Sequence, residues 1–191
     1  MKVDLFDYEL PPERIAQRPL ADRTRSRLLV LDRATGARTH AAFTDLAAFL
    51  PARSLLVLND TSVIPARLLG TKRGSGGRAE VFLLQRIGAE ADPLRAAAPG
   101  EPPWGRWTAL VSANKKVRPG LVVDLREGAS ARLLAVSAED PSGATWEVAL
   151  EGTGPLATGL AAIGAPPLPP YIHRDGGPDS TDAARYQTVY A

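Results

Sequence analysis

Residues 54–68 read SLLVLNDTSVIPARL. The run SLLVLN (54–59) is short, almost unbroken in its apolarity and bounded by turn formers. That pattern predicts a strand covered on both faces, as in a mixed or parallel sheet. NDT (59–61) then stands at the carboxyl end of the strand, where open α/β sheets gather polar groups around a ligand. Asn59 and Asp60 are suited to ribose hydroxyls or amines, and Arg67 to a phosphate or carboxylate. The plainer reading of Asn-Asp-Thr is a strand-ending turn.

Upstream, LPPERIA (10–16) reads as a helical turn with proline at its first position, and arginines crowd 18–27 at Arg18, Arg23, Arg25 and Arg27. RLLVLD (27–32), the turn RATG and ARTHAAF (37–43) predict a hairpin. Thr44 caps a short helix over 45–50 that Pro51 ends. Downstream the pattern changes. RLLGTK (67–72), RAEVFLLQRI (78–87), RWTALVS (106–112), LVVDL (121–125), ARLLAVS (131–137) and ATWEVALE (144–151) are short strands separated by turns. They predict a small antiparallel barrel over 67–151. Residues 88–105, rich in Ala, Pro and Gly, read as a flexible loop. PLATGLAAIG (155–164) has helical spacing, APPLPPYI (165–172) is extended, DGGPDSTD (175–182) is a polar loop, and 183–191 starts a helical turn. The fold expected is an α/β domain (1–66 and 152–191), only begun, with the barrel inserted at 67–151.

Composition narrows the chemistry. The 191 residues carry 23 Lys+Arg against 21 Asp+Glu, a formal charge of +2, so any nucleic-acid surface must come from where the charges sit. Hydrophobic residues are 45% and charged residues 23%, which excludes wholesale disorder. The absence of cysteine excludes disulfides, thiolate metal sites and a cysteine nucleophile, and two histidines, His40 and His173, leave no multi-histidine zinc site. No metal is expected. No stretch has the length and apolarity of a transmembrane helix or a signal peptide, so no membrane partner is expected.

The remaining motifs are weaker. GSGG (74–77) lacks the Gly-Lys-Ser/Thr and following helix of a phosphate loop and reads as a hairpin turn. Lys72 and Arg73 beside it, with Lys115, Lys116 and Arg118 in ANKKVRPG (113–120), form a candidate basic patch for RNA phosphates. Tyr171, in PPLPPYIHR, and Tyr186 are candidates to stack on a base, with core packing as the plainer role. Without further information these features describe an α/β-plus-barrel protein with a possible RNA surface, and no reaction.

Several segments together resemble one family. LPPERIAQRPL (10–20), SRLLVLDRATG (26–36) with Phe43, Asp45 and Leu46, LLVLNDTSVIPARLLG (55–70), IGAPPLPPYI (163–172) and RYQTVYA (185–191) are similar, in order and along the whole chain, to the S-adenosylmethionine:tRNA ribosyltransferase-isomerases of queuosine biosynthesis. The resemblance implies an α/β domain with an inserted barrel. It also implies a reaction: the ribosyl part of S-adenosylmethionine moves to the aminomethyl group of 7-aminomethyl-7-deazaguanine in the tRNA anticodon and is rearranged to the epoxycyclopentanediol of epoxyqueuosine. Adenine and methionine leave. S-adenosylmethionine is then a co-substrate, and no cofactor is expected. On this reading Asp60 is the candidate base, Asn59, Thr61, Arg67, Tyr171, Tyr186 and Gln187 bind substrate, and the protein is a cytoplasmic monomer.

The chain departs from the family pattern in places. Ser62 and Ser112 stand where the family usually has arginine, and the 88–105 loop is long. The family continues well beyond YQTVYA into a second α/β half, so this chain is expected to be an N-terminal part that is inactive alone. Two other functions compete: a non-catalytic tRNA-binding barrel, and a proline-rich interaction protein acting through Pro166–Pro170.

Overall fold

The computed structural model describes residues 2–89, 92–114, 117–140, 142–174 and 179–187. The chain divides into two compact units, Met1–Ser62 with Leu168–Ala191, and Val63–Pro167.

In the first unit, β1 (Arg27–Leu31) and β2 (Arg38–Ala42) form an antiparallel hairpin, with Leu29 opposite His40. Asp32 holds the turn by accepting from the amides of Ala34 and Thr35 at 2.9 and 2.8 Å. The segment that follows is a 3-10 helix, Phe43–Phe49. The strand expected at 54–59 does not form. The run is without ladder partners among the described residues, and Leu55 and Val57 are 89% and 84% exposed. A strand exists only when a neighbour takes up its backbone groups, and neither β1 nor β2 reaches this one. Among the described residues, this unit buries no apolar side chain; its one buried residue is Asp182.

The second unit holds the core. Its strands are β3 (Arg67–Lys72), β4 (Arg78–Arg86), β5 (Arg106–Ala113), β6 (Val122–Asp124), β7 (Ser130–Val136) and β8 (Thr145–Glu151). They pair antiparallel in the order β3-β4-β5-β8-β7-β6, and β6 returns to β3, closing a six-stranded barrel. Alternation decides which side chains fill it: Ala79, Val81 and Leu83 of β4, and Trp146, Val148 and Leu150 of β8, point inward and are buried. Register shifts at Leu83/Gln85 and Leu133/Ala135 mark bulges, the device by which a sheet bends enough to close. α1 (Leu156–Ile163) buries Leu156, Leu160 and Ile163 in this same cluster, so the helix assigned by sequence to the outer domain packs with the barrel. β9 (Gly164–Ala165) adds to the edge of β3.

The described parts of the 88–105 segment are tied to the barrel. Trp104, inside it, is 2% exposed in the barrel core. Arg86, 1% exposed, anchors the loop by donating from Nη1 to the carbonyls of Pro93 and Arg95 at 3.1 and 2.5 Å. Burial pushes the Arg86 guanidinium below its ordinary pKa, with Arg95 adding repulsion.

Closure constrains one position tightly. A Cβ on Gly70 would lie 2.3 Å from the carbonyl oxygen of Asp124, across the β3–β6 seam. Gly70→Ala is therefore expected to cost about 1–3 kcal/mol by forcing the seam apart. A urea midpoint equal to that of the parent chain would show that the strands yield without cost.

Candidate functional site

The first unit contains a cavity of about 290 Å³. Two chain segments remote in sequence build its walls, 16–23 and 168–186, and both tyrosines singled out from sequence, Tyr171 and Tyr186, line it.

Polar groups hold these segments together, and among the described residues of this unit no apolar side chain is buried. Gln17 is the pivot. Its Nε2 donates to the carbonyl of Tyr171 at 3.0 Å, and its Oε1 accepts from the amide of His173 at 2.8 Å. This fixes the PPYIH stretch, which is not extended throughout as its prolines suggest but closes a turn in which the Ile172 amide donates to the Pro169 carbonyl at 2.9 Å. Arg174 donates from Nη2 to the Gln17 carbonyl at 3.0 Å and grips Asp182 with Nε and Nη2 at 2.9 and 2.8 Å. That pair is 11% and 5% exposed at its side chains. The guanidinium of Arg174 holds the Asp182 carboxyl below the usual carboxylate range, and Asp182 raises Arg174 in turn.

Asp182 lies on α2 (Ser180–Arg185), which starts within the stretch read as a polar loop. A capping box explains the start. Asp179 accepts from the amides of Thr181 and Asp182, while Asp182 accepts from the amide of Asp179 at 2.9 Å. Asp179 also pairs with Arg18 at 2.9 Å. Hydrogen bonds from Thr181, and then Arg18, lower its pKa. On the same wall Arg23 Nη1 donates to the Gln187 carbonyl at 2.6 Å. Arg185 Nη1 donates to the carbonyls of Ala21 and Leu20 at 2.8 and 3.1 Å.

The NDT corner adjoins this network through Ser62. Asn59 Oδ1 accepts from the Thr61 amide at 3.0 Å and from the Thr61 hydroxyl, an Asx turn. Ser62, next in sequence, donates to Gln187 Oε1 at 3.3 Å. Asp60 is exposed and is not part of the cavity lining. The structure thus brings Tyr171 and Tyr186 together, sets Gln187 beside them, and leaves Asn59, Asp60 and Thr61 in an exposed turn.

Arg67 belongs to the barrel unit, where it pairs with Glu80 at 2.9 Å. Of the basic-patch candidates, Lys72 is 7% exposed, Arg73 is bound through Nε and Nη2 to Asp124, and Arg118 is exposed. Lys115 and Lys116 lie outside the described residues, as do 175–178 and 188–191. Gln17 and Arg174 escaped the sequence reading because their link spans more than 150 positions, and Asp182 because its role is to hold Arg174 in that link. The D-S-T-D spacing of the capping box (179–182) was the one local signal. Among the described residues, no group of three or more His, Asp or Glu side chains is placed to hold a metal ion, and no helix is long and apolar enough to cross a membrane.

Comparisons with known proteins agree with one another. A family model described as queuosine biosynthesis protein matches residues 3–191. The S-adenosylmethionine:tRNA ribosyltransferase-isomerase of Geotalea uraniireducens is 44% identical over 191 residues, covering 100% of this chain and 50% of that protein. The enzymes of the same name from Sorangium cellulosum and Citrifermentans bemidjiense are 41% and 45% identical and are covered to 52% and 48% of their length. The crystal structure of an S-adenosylmethionine tRNA ribosyltransferase from Thermotoga maritima matches with 36% identity and a TM-score of 0.31, over 76% of this chain and 44% of that one. The chain spans about half the length of the curated relatives it matches. With a match from residue 3 to the last residue and relatives above 40% identity, the chain belongs to the queuosine biosynthesis protein family.

Proposed function

We propose that this chain serves the transfer and isomerisation of the ribosyl group of S-adenosylmethionine onto 7-aminomethyl-7-deazaguanine in a tRNA anticodon, giving epoxyqueuosine. Family membership over the whole chain carries this reading. The cavity supports it: two tyrosines offer stacking surfaces for a base, and arginines surround them.

The chemistry asks little of the protein beyond placement and a base. The sulfonium acidifies its neighbouring C–H bonds and departs as a neutral thioether, so the co-substrate supplies the leaving group. The protein positions the amine against the ribose and removes a proton. Asp60, exposed and hinged on the Asn59–Thr61 turn, is the candidate base. The anticodon base is presented out of its stack, as a reaction on a base requires. A cytoplasmic, monomeric enzyme fits this role.

The test is adenine release from S-adenosylmethionine in the presence of substrate tRNA. The 191-residue chain alone is expected to release none, because the unit carrying the cavity lacks a buried apolar core among its described residues. In a relative of full length, the change matching Asp60→Asn is expected to lower turnover by about 10²-fold or more; undiminished turnover would remove Asp60 as the base. Salt-dependent tRNA binding by a full-length relative that never releases adenine would favour the non-catalytic barrel instead.

A further inference from the structure

We propose that the cavity of the first unit is an anion subsite, in which Arg23 and Arg185 receive the oxygens of a carboxylate or phosphate. The source of that anion rests on the function proposed above; the site itself rests on the charges around the cavity.

Four guanidinium groups line the cavity, from Arg18, Arg23, Arg174 and Arg185. Two are neutralised. Arg174 holds both oxygens of Asp182, and Arg18 holds Asp179. The other two are not. Arg23 donates from Nη1 to the Gln187 carbonyl, and Arg185 from Nη1 to the carbonyls of Leu20 and Ala21. Carbonyl groups orient a guanidinium but leave its full charge in place. Each guanidinium carries five N–H donors in a fixed fork, and the hydrogen bonds described engage only Nη1 in these two. The Nε and Nη2 edges are the pair that meets a carboxylate or phosphate with two parallel bonds.

Position strengthens the case. Both arginines are half-buried, where attraction to an anion is less screened than at the open surface. Arg185 reaches back to the carbonyls of Leu20 and Ala21 while Arg23 reaches forward to that of Gln187, so both guanidinium groups bridge the same two wall segments. The carboxylate among the described lining residues, Asp182, is already committed to Arg174 with both oxygens. Tyr171 and Tyr186 complete the wall. A cavity of about 290 Å³ suits a charged head group with one ring-sized portion of a ligand.

The two sources are the carboxylate of the methionine portion of S-adenosylmethionine and a phosphate of the RNA. The test uses the full chain with calorimetric titration of inorganic phosphate, S-adenosylmethionine, decarboxylated S-adenosylmethionine and an anticodon stem-loop RNA. The variants are Arg23→Gln and Arg185→Gln, with Arg126→Gln on the exposed 3-10 turn of the barrel as a control. Each cavity variant is expected to weaken phosphate about tenfold, and Arg126→Gln to leave it unchanged. A preference for S-adenosylmethionine over its decarboxylated form that disappears in the variants names the carboxylate. A lowered salt slope for the RNA in the variants names the phosphate.

Should the glutamine variants fail to fold, phenylglyoxal labelling of the parent chain decides: phosphate is expected to protect Arg23 and Arg185 and to leave Arg126 reactive. Phosphate bound through these arginines while S-adenosylmethionine and RNA stay inert would keep the site and remove both of these sources of its anion. Charged probes bound equally by parent and variants, a parent chain that binds no charged probe, or labelling that phosphate does not slow would overturn the site.

Discussion

Replacing Trp104 by alanine is expected to unfold the barrel. The indole is 2% exposed and lies between two glycines: a Cβ on Gly152 would meet it at 2.3 Å, and one on Gly159 at 2.1 Å. Only glycine at both positions leaves room for the ring, and Nε1 donates to the Gly154 carbonyl at 3.0 Å. The backbone of Trp104 takes part too, since its amide donates to Leu150 and its carbonyl accepts from Trp107 Nε1 at 2.8 Å. Glycine backbone on α1 and after β8 has no side chain with which to fill the space an alanine would leave. The cost of such a truncation is about 3–5 kcal/mol, a large part of the ~5–15 kcal/mol that holds a typical domain. Urea unfolding followed by fluorescence of the remaining tryptophans measures it. A loss below about 1 kcal/mol would mean that the indole fills no essential space. Gly159→Leu attacks the same contact from the other side and is expected to be comparably damaging.

The second large effect falls on the cavity unit. Asp182→Ala leaves Arg174 with its charge unmatched in a place where its side chain is 11% exposed. It also removes one half of the capping box that starts α2. Losing one partner of a buried pair costs about 3–5 kcal/mol. Because apolar burial does not hold this unit, the pair is expected to decide whether segments 16–23 and 168–186 stay together. Hydrogen exchange at the amide of His173, which donates to Gln17 Oε1 across the two segments, reads the separation directly. Unchanged protection there would show that Gln17 suffices.

The same pair sets a pH dependence. Arg174 keeps the Asp182 carboxyl below its ordinary value of 3.8, so the folded state takes up its proton less readily than the unfolded chain. Its stabilisation is complete above that ordinary value and is lost as pH falls through the lower, folded value. Asp182→Asn is expected to flatten the acid limb of the unfolding curve, with little change in the shape of the curve between pH 6 and 8.

The apolar run at 54–58 shows why one kind of signal misled. Leu55, Leu56, Val57 and Leu58 have the composition of a doubly covered strand, yet they are 89%, 51%, 84% and 44% exposed. Composition states what a segment would gain by burial; it cannot supply the neighbour that buries it. Exposed apolar patches of this kind mark interaction surfaces.

By itself the sequence determined the barrel. Its strands are short apolar runs at regular spacing, and each turn carries its own glycine or proline, so the succession of antiparallel strands is written locally along 67–151. The hairpin of β1 and β2 was legible for the same reason. The tertiary structure alone decided three things: that Trp104 belongs to the core and not to a loose loop, that α1 packs on the barrel, and that the cavity is built by Gln17, Arg174 and Asp182. Those outcomes depend on which distant backbone comes within reach of an indole, a helix face or a guanidinium, and no spacing within a single segment encodes that distance.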